Sequence, residues 1–421
     1  MSEHQSDTVP GPSDGTVTVA DVVATIEHAY PPQLAESWDA CGLVCGDPQA
    51  PARRVAVALD CTDAVVDDAV ARGVDVLLVH HPLLMRGVTG VPADHPKGRI
   101  VHRLIRAGIA LYAAHTSADA ARPGVNDRLA ELLGVRPGTP LRASSAAATT
   151  AARAARGESG PPALDSWGVT VPEGDAAQVK AAVFGAGAGT TDGRYTECSY
   201  DFPVAGQFRP AADASPYIGH VGELEQVGER RVEFVAPRSR RADVLAALLT
   251  AHPYEEPAYD VTEVVGVDRA PDTAFGIGRV GELDTPMTLR EFTARVADRL
   301  PATRWGVRAA GDPDRVIHRV AVSSGAGDSF LDTVAGLDVD CFVTSDLRHH
   351  PVDEHLRAGG CPVIDTAHWA SEFPWCSQAA DVIAAAQPQV TTEVIGVRTD
   401  PWTVHAASPQ GGPSQPGGDH A

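Results

Sequence analysis

Two adjacent histidines, His80 and His81, close the apolar run VDVLLVHHPLLMRG at residues 74–87. A buried strand can end this way because it simply meets solvent, or because its end needs two imidazoles. Further along, His115 and Asp119 share the stretch HTSAD. In the C-terminal half, SDLRHHP carries Asp346, His349 and His350, and HWASE carries His368 and Glu372. Imidazoles and carboxylates without thiolate suit zinc, iron, manganese or another borderline divalent ion. Neighbouring side chains on an extended strand point to opposite faces. One ion takes both histidines only if the chain turns, which Pro82 encourages. Two ions, one per histidine, fit more naturally, with Asp119 or Glu372 as the bridge, and such a pair can activate a water. If a helix starts near His368, the spacing to Glu372 puts both side chains on one face. Each motif alone reads as ordinary polar surface. Their joint placement argues for metal.

That placement follows from the flanking pattern. RVAVALD (54–60), VDVLLVHHP and IALYAAHT (109–116) read as strands. TDAVVDDAVARG (62–73), KGRIVHRLIRAG (97–108) and VNDRLAELLGV (125–135) read as helices, the first with Thr62 or Asp63 as a cap and Gly73 as a stop. The β-α-β-α-β order predicts a mainly parallel sheet, and ligands gather beyond the carboxyl ends of parallel strands. A similar order returns in RVAVSSG (319–325), GDSFLDTVAG (327–336), DCFVTSD (340–346), a helix over 350–358 and CPVIDTAH (361–368). RVAV opens both halves, Asp75 and Asp340 each follow it by the same interval, and IRAG and LRAG precede third strands ending in His115 and His368. We read this as an internal duplication of one α/β unit.

Between the halves the composition changes. Residues 138–165, rich in Ala, Ser, Thr, Gly and Pro, read as a linker whose Ala/Arg part is at most weakly helical. Residues 166–265 read as strand-helix, a loop region, then strand-helix-strand, the pattern of a ferredoxin-like α+β insert. The expected organisation is disorder over 1–16, a first lobe over 17–137, the linker, the insert, a second lobe over 266–403 and a disordered tail over 404–421.

The 421 residues suffice for two or three domains, and a hydrophobic share of 43% with 5% aromatics points to an aliphatic α/β core. A net charge of −21 disfavours general binding to nucleic acid or anionic membrane. No apolar run is long enough to span a membrane and the N-terminal stretch has no signal-peptide core, so a cytoplasmic protein is expected. The seven cysteines contain no CxxC pair and read as reduced thiols. Other segments carry less. SSGAGDS (323–329) is either an anion cradle or a tight turn, AHPYEEP reads as a structural turn, and Trp38–Asp39 form a loop that lies near the site or only packs. No Walker A loop and no cluster of base-stacking aromatics is visible.

Five ordered segments, ESWDACGLVCGDP, LLVHHPL, AAHTSAD, FVTSDLRHH and VIDTAHWASE, resemble the signatures of the Nif-three-like dinuclear-metal-centre family, whose members are often labelled GTP cyclohydrolase I type 2 homologues. The segments GRYTECSYDF and AHPYEEPAYDV resemble the CutA- or PII-like insert of its long bacterial members, and the likeness spans nearly all of 19–403. The resemblance implies two divalent metal ions held by His80, His81, Asp119, His368 and Glu372 inside a toroidal homohexamer. His115 and His350 match polar positions lining the family site, as candidates for proton transfer or substrate contact. Ser117-Ala118 replace the usual Asn-Leu, Ala367 a Gly and Trp369 a Tyr, and TSD stands for TGD. No ligand is lost, but the pocket lining differs.

The function expected from these readings is metal-dependent hydrolysis of a nucleotide or phosphoester, nominally GTP opened at its imidazole ring, through metal-activated water. The alternative is a non-enzymatic hexameric scaffold or regulator that binds metal and uses the PII-like insert. The missing substrate-recognition element favours that alternative.

Overall fold

The computed structural model describes residues 16–158, 163–191, 193–264 and 274–406. The expected disordered termini fall almost wholly outside these. The chain divides into two compact units, Met1–Glu158 with Ala270–Ala421, and Ser159–Arg269. Among the described residues no helix is long and apolar enough to cross a membrane.

The larger unit holds two sheets. The first runs Gly42–Cys45, Ala110–Ala113, Val76–Val79, Arg54–Ala58, Thr391–Val394. Its last four strands are parallel and Gly42–Cys45 is antiparallel at the edge. The two-residue alternation of a strand explains its continuous apolar runs. Val55, Val57, Val76 and Leu78 enter the core shared with the second sheet. Ala56, Ala58, Leu77 and Val79 face the opposite way, into a core with residues of the helices Asp63–Arg72 and Pro96–Ala107. Those helices stop where expected, at Gly73 and Gly108, whose φ of 65° and 71° a side chain would resist.

The second sheet runs Arg308–Ala310, Val363–Thr366, Cys341–Ser345, Val316–Ala326, Arg279–Thr288, Val135–Pro137. Only Val363–Thr366, Cys341–Ser345 and Val316–Ala326 are mutually parallel; the other pairings are antiparallel. This sheet is therefore mixed, which corrects the expectation of mainly parallel sheets. A β-α-β pattern identifies strands joined by crossover helices, whereas flanking strands carry no such signature. Fully buried Arg279 locks this edge. Its Nε and Nη2 donate to Asp127 at 2.7 and 2.6 Å, and its other donors reach the carbonyls of Ala121, Gly276 and Gly278.

Residues expected to form a bare linker are partly built into the larger unit. Arg142–Ala143 pairs with Gly276–Ile277, and Ser145 caps a helix over Ala146–Ala155 that buries Ala152 completely. Alanine has high helix propensity, and one such side chain per turn needs only a shallow contact, so little apolar periodicity shows in the sequence.

The smaller unit has the element order strand Leu164–Pro172, helix Ala176–Gly185, strands Ser199–Phe208 and Glu225–Pro237, helix Arg241–Ala251, strand Tyr259–Val264. Its sheet is antiparallel, ordered last-first-third-second, around a core of Trp167, Val179, Phe234 and Leu248.

Candidate metal centre

The carboxyl ends of the two central strand sets bring their polar residues together. His80 follows Val76–Val79 and is fully buried; His81 is half-buried beside it. Asp119 comes from the short helix Thr116–Ala120 after the third strand, and His368 and Glu372 open and close the helix His368–Glu372. Glu372 bridges the halves. Its Oε2 lies 2.9 Å from His81 Nε2 and 3.1 Å from His368 Nε2, and its Oε1 lies 3.8 Å from His80 Nε2. Asp119 Oδ1 is 3.7 Å from that same His80 nitrogen. Three overlapping groups could each hold a metal ion: His80, His81 and His115; His81, His368 and Glu372; His80, Asp119 and Glu372.

Every ring is fixed from behind. His80 Nδ1 is 2.9 Å from the Ala114 carbonyl, to which it can only donate. His81 Nδ1 meets Asp60 at 2.7 Å, His115 Nδ1 meets Asp39 at 2.8 Å and His368 Nδ1 meets Asp346 at 2.6 Å. Such outer contacts set the tautomer and turn Nε2 inward as the ligand atom. Asp346 adopts a left-handed φ of 57° to reach His368, a conformation that aspartate tolerates better than most residues.

The donor set fits a cation. His80 Nε2 is buried without a hydrogen-bond partner, and Glu372 Oε2, although close to two imidazoles, makes no well-aligned bond. Burial pushes the Asp119 carboxyl up. Burial opposes ionisation of Glu372 too, but the His368 and His81 imidazoles outweigh it and hold that group well below the usual range. His81 is raised to about 10, against burial, by Glu372 and Asp60. Glu372 is the largest influence raising His368 to about 11. The cluster thus gathers two carboxylates that either protons on the imidazoles or divalent ions can balance.

Gly325 explains why SSGAGDS is glycine-rich. It ends Val316–Ala326 with φ 62°, and a Cβ there would stand 2.3 Å from Glu372 Oε1 and 3.2 Å from His368 Nε2. The segment is a wall of the site and not a separate turn. Neighbouring Ser324 places its hydroxyl 3.3 Å from Asp119. The Trp38–Asp39 loop also belongs here, since Asp39 grips His115. His350 is the exception among the expected site residues. It is exposed on the first turn of His349–Arg357 and is not part of the three converging groups. Asp346 was noted at a strand end but not as a partner of His368, and Asp39, Asp60 and Gly325 were not singled out by their chemistry, because each touches a residue of the cluster rather than resembling one. The one available signal was position, as each lies at or near a strand end.

Comparison with known proteins gives the family. Residues 17–401 match the family model described as Duf34/NIF3 (NGG1p interacting factor 3), and the chain belongs to that family. It is 50% identical over 390 residues to a Mycobacterium tuberculosis protein named GTP cyclohydrolase 1 type 2 homolog, covering 92% of this chain and 97% of that one. A Bacillus subtilis protein of the same name is 36% identical over 358 residues, covering 85% and 90%. The solved structure of a Bacillus cereus protein related to NIF3 superposes with a TM-score of 0.60 at 31% identity, covering 93% of this chain and all of that one.

Proposed function

We propose that this chain is a hydrolase that depends on two divalent metal ions and acts on a nucleotide. The observation that carries the reading is the sharing of Glu372 between one ligand group with His80 and Asp119 and another with His81 and His368. Zinc, iron or manganese would suit these donors. Two such ions would supply Lewis acidity and a more acidic water. The protein's own part is then positional. Glu372 and Asp119 provide the compensating negative charge, and the Nδ1 contacts hold the imidazoles still. His115, raised in basicity against burial by Asp39 and Asp119, is the proton carrier. The GTP label of the relatives supports a nucleotide substrate, and cyclohydrolase chemistry on GTP is the nominal reaction.

The test is metal stoichiometry. Purified protein is expected to carry close to two transition-metal ions per chain by elemental analysis, and His81→Ala to lower that figure. Near-zero metal in both proteins would sink the assignment.

We further propose that the two α/β lobes are copies of one unit. Asp75 accepts from the backbone N–H groups of Arg53 and Arg54, and Asp340 accepts likewise from His318 and Arg319. In both sheets an antiparallel edge strand pairs with the third parallel strand. The smaller unit is read as a ferredoxin-like, CutA- or PII-like insert, supported by its strand-helix-strand-strand-helix-strand order. A homohexameric ring, implied by the family resemblance, and the cytoplasmic location expected from the sequence complete the reading.

A further inference from the structure

A cavity of about 280 Å³ opens beside the half of the cluster formed by His81 and His368. Its far wall comes from two segments distant in sequence. Trp305 and Trp402 meet there with ring centroids 5.6 Å apart and planes inclined by 37°. Trp402 is more than half exposed, an unusual state for a tryptophan unless something covers it. The guanidinium of Arg308 lies 4.7 Å from the Trp305 ring centroid and supports it.

The polar groups of this cavity are equally particular. Asp60 and Asp346 are occupied with His81 and His368. Asp400 is not so engaged. It is only 8% exposed, and its Oδ2 is buried without a partner, as is the donor Nε1 of Trp305. No lysine or arginine lines the cavity. Among the lining groups only His81 and His368 can carry positive charge, and both are paired with Asp60 and Asp346, so the unpaired Asp400 disfavours a phosphate beside Trp402. A neutral planar ring satisfies both features, since it stacks on the indoles and can present an N–H to the vacant carboxylate oxygen.

We infer that this cavity is a subsite for the heterocyclic base of the substrate, a planar ring system with a ring N–H. Trp402 is the stacking surface and Asp400 the acceptor that selects for the N–H. The inference rests on the nucleotide reading above and adds its orientation. The base lies toward Trp305 and Trp402, and any phosphate lies away from this wall. The volume is near the lower limit of ordinary ligand pockets, roughly 300–1,000 Å³, which suits one ring system.

Calorimetric titration of the metal-loaded full chain tests this with three probes: guanosine, N1-methylguanosine and ribose 5-phosphate. Guanosine is expected to bind, and ribose 5-phosphate is expected not to displace it. Trp402→Ala should weaken guanosine at least about tenfold while Trp402→Phe retains most of the affinity, the scale that base stacking commands. Asp400→Asn should weaken guanosine about tenfold and leave the already weak N1-methylguanosine unchanged, since the methylated ring has no proton to offer the carboxylate. Guanosine binding that is equal in all four proteins, or absent from wild type with a full metal complement, would overturn the subsite. Elemental analysis of each variant separates the two readings. Base binding with no metal would remove the hydrolase proposal and leave the subsite standing.

Discussion

Each imidazole of the cluster is gripped at Nδ1, and that grip decides how the site responds to acid. His81 and His368, raised to about 10 and about 11 by the neighbouring carboxylates, would hold protons at neutral pH whenever no metal ion competes for them. A metal ion needs the neutral rings, so binding must expel those protons. The sign follows directly. Below these values the protons compete with the metal, so apparent affinity climbs as pH rises, less steeply between about 10 and about 11, and levels off above about 11. Between about pH 6 and about pH 8 the expected gain is about tenfold per pH unit for each proton displaced. Titration calorimetry in two buffers of different ionisation enthalpy reads the proton count, and a count of zero would contradict the assigned state of both rings. The residues that converge in the cluster were conspicuous in the sequence, because imidazole and carboxylate stand out at strand ends. The groups behind them were not. Asp39, Asp60 and Asp346 resemble any surface aspartate until the fold aims them, and Trp305 and Trp402 become a pair only in three dimensions.

The elements that carry the site are short. Thr116–Ala120 and His368–Glu372 are single turns of helix with little stability of their own, held by the sheets beneath them. The join between Arg279–Thr288 and the helix Val125–Leu133 is one such support, and the Arg279–Asp127 pair lies within it. Arg279→Met would leave the Asp127 carboxylate buried with only part of its bonding, and a loss of about 3 kcal/mol is expected in denaturant unfolding. A change below about 0.5 kcal/mol, typical of surface substitutions, would mean that the pair is replaceable there. At this scale the strands and helices around His80 and His115 were legible from periodicity and capping residues. Arg279–Thr288 and Arg308–Ala310 were not assigned, because no helical crossover ties them to a parallel neighbour. The helix Ala146–Ala155 was legible only as a weak tendency of the Ala/Arg stretch, since alanine contributes to both flexible linkers and good helices.

At the scale of the molecule, the two units divide labour. All the residues of the three converging groups lie in the larger unit, on both sides of the interruption at Ser159–Arg269. Replacing Ser159–Arg269 by a short flexible linker should therefore leave the metal content of a folded protein unchanged by elemental analysis. Loss of metal from a deletion protein with native-like circular dichroism would show that the insert supports the site. The linker composition and the change in pattern are what mark an insert over 166–265 in the sequence. Nothing in its sheet order specifies a ligand.

Thr391–Val394 pairs in parallel with Arg54–Ala58, so the first sheet is closed by residues synthesised long after the rest of it. While the chain is being made, the outer edge of Arg54–Ala58 is unpaired, and His80, His81 and Asp119 wait without His368 and Glu372. The N-terminal part of the nascent chain therefore has a first lobe open at one edge and only half of the cluster. The cluster is complete only once the C-terminal half has been made. The nascent chain, with an exposed β-edge, is the stage at which chaperone protection matters most.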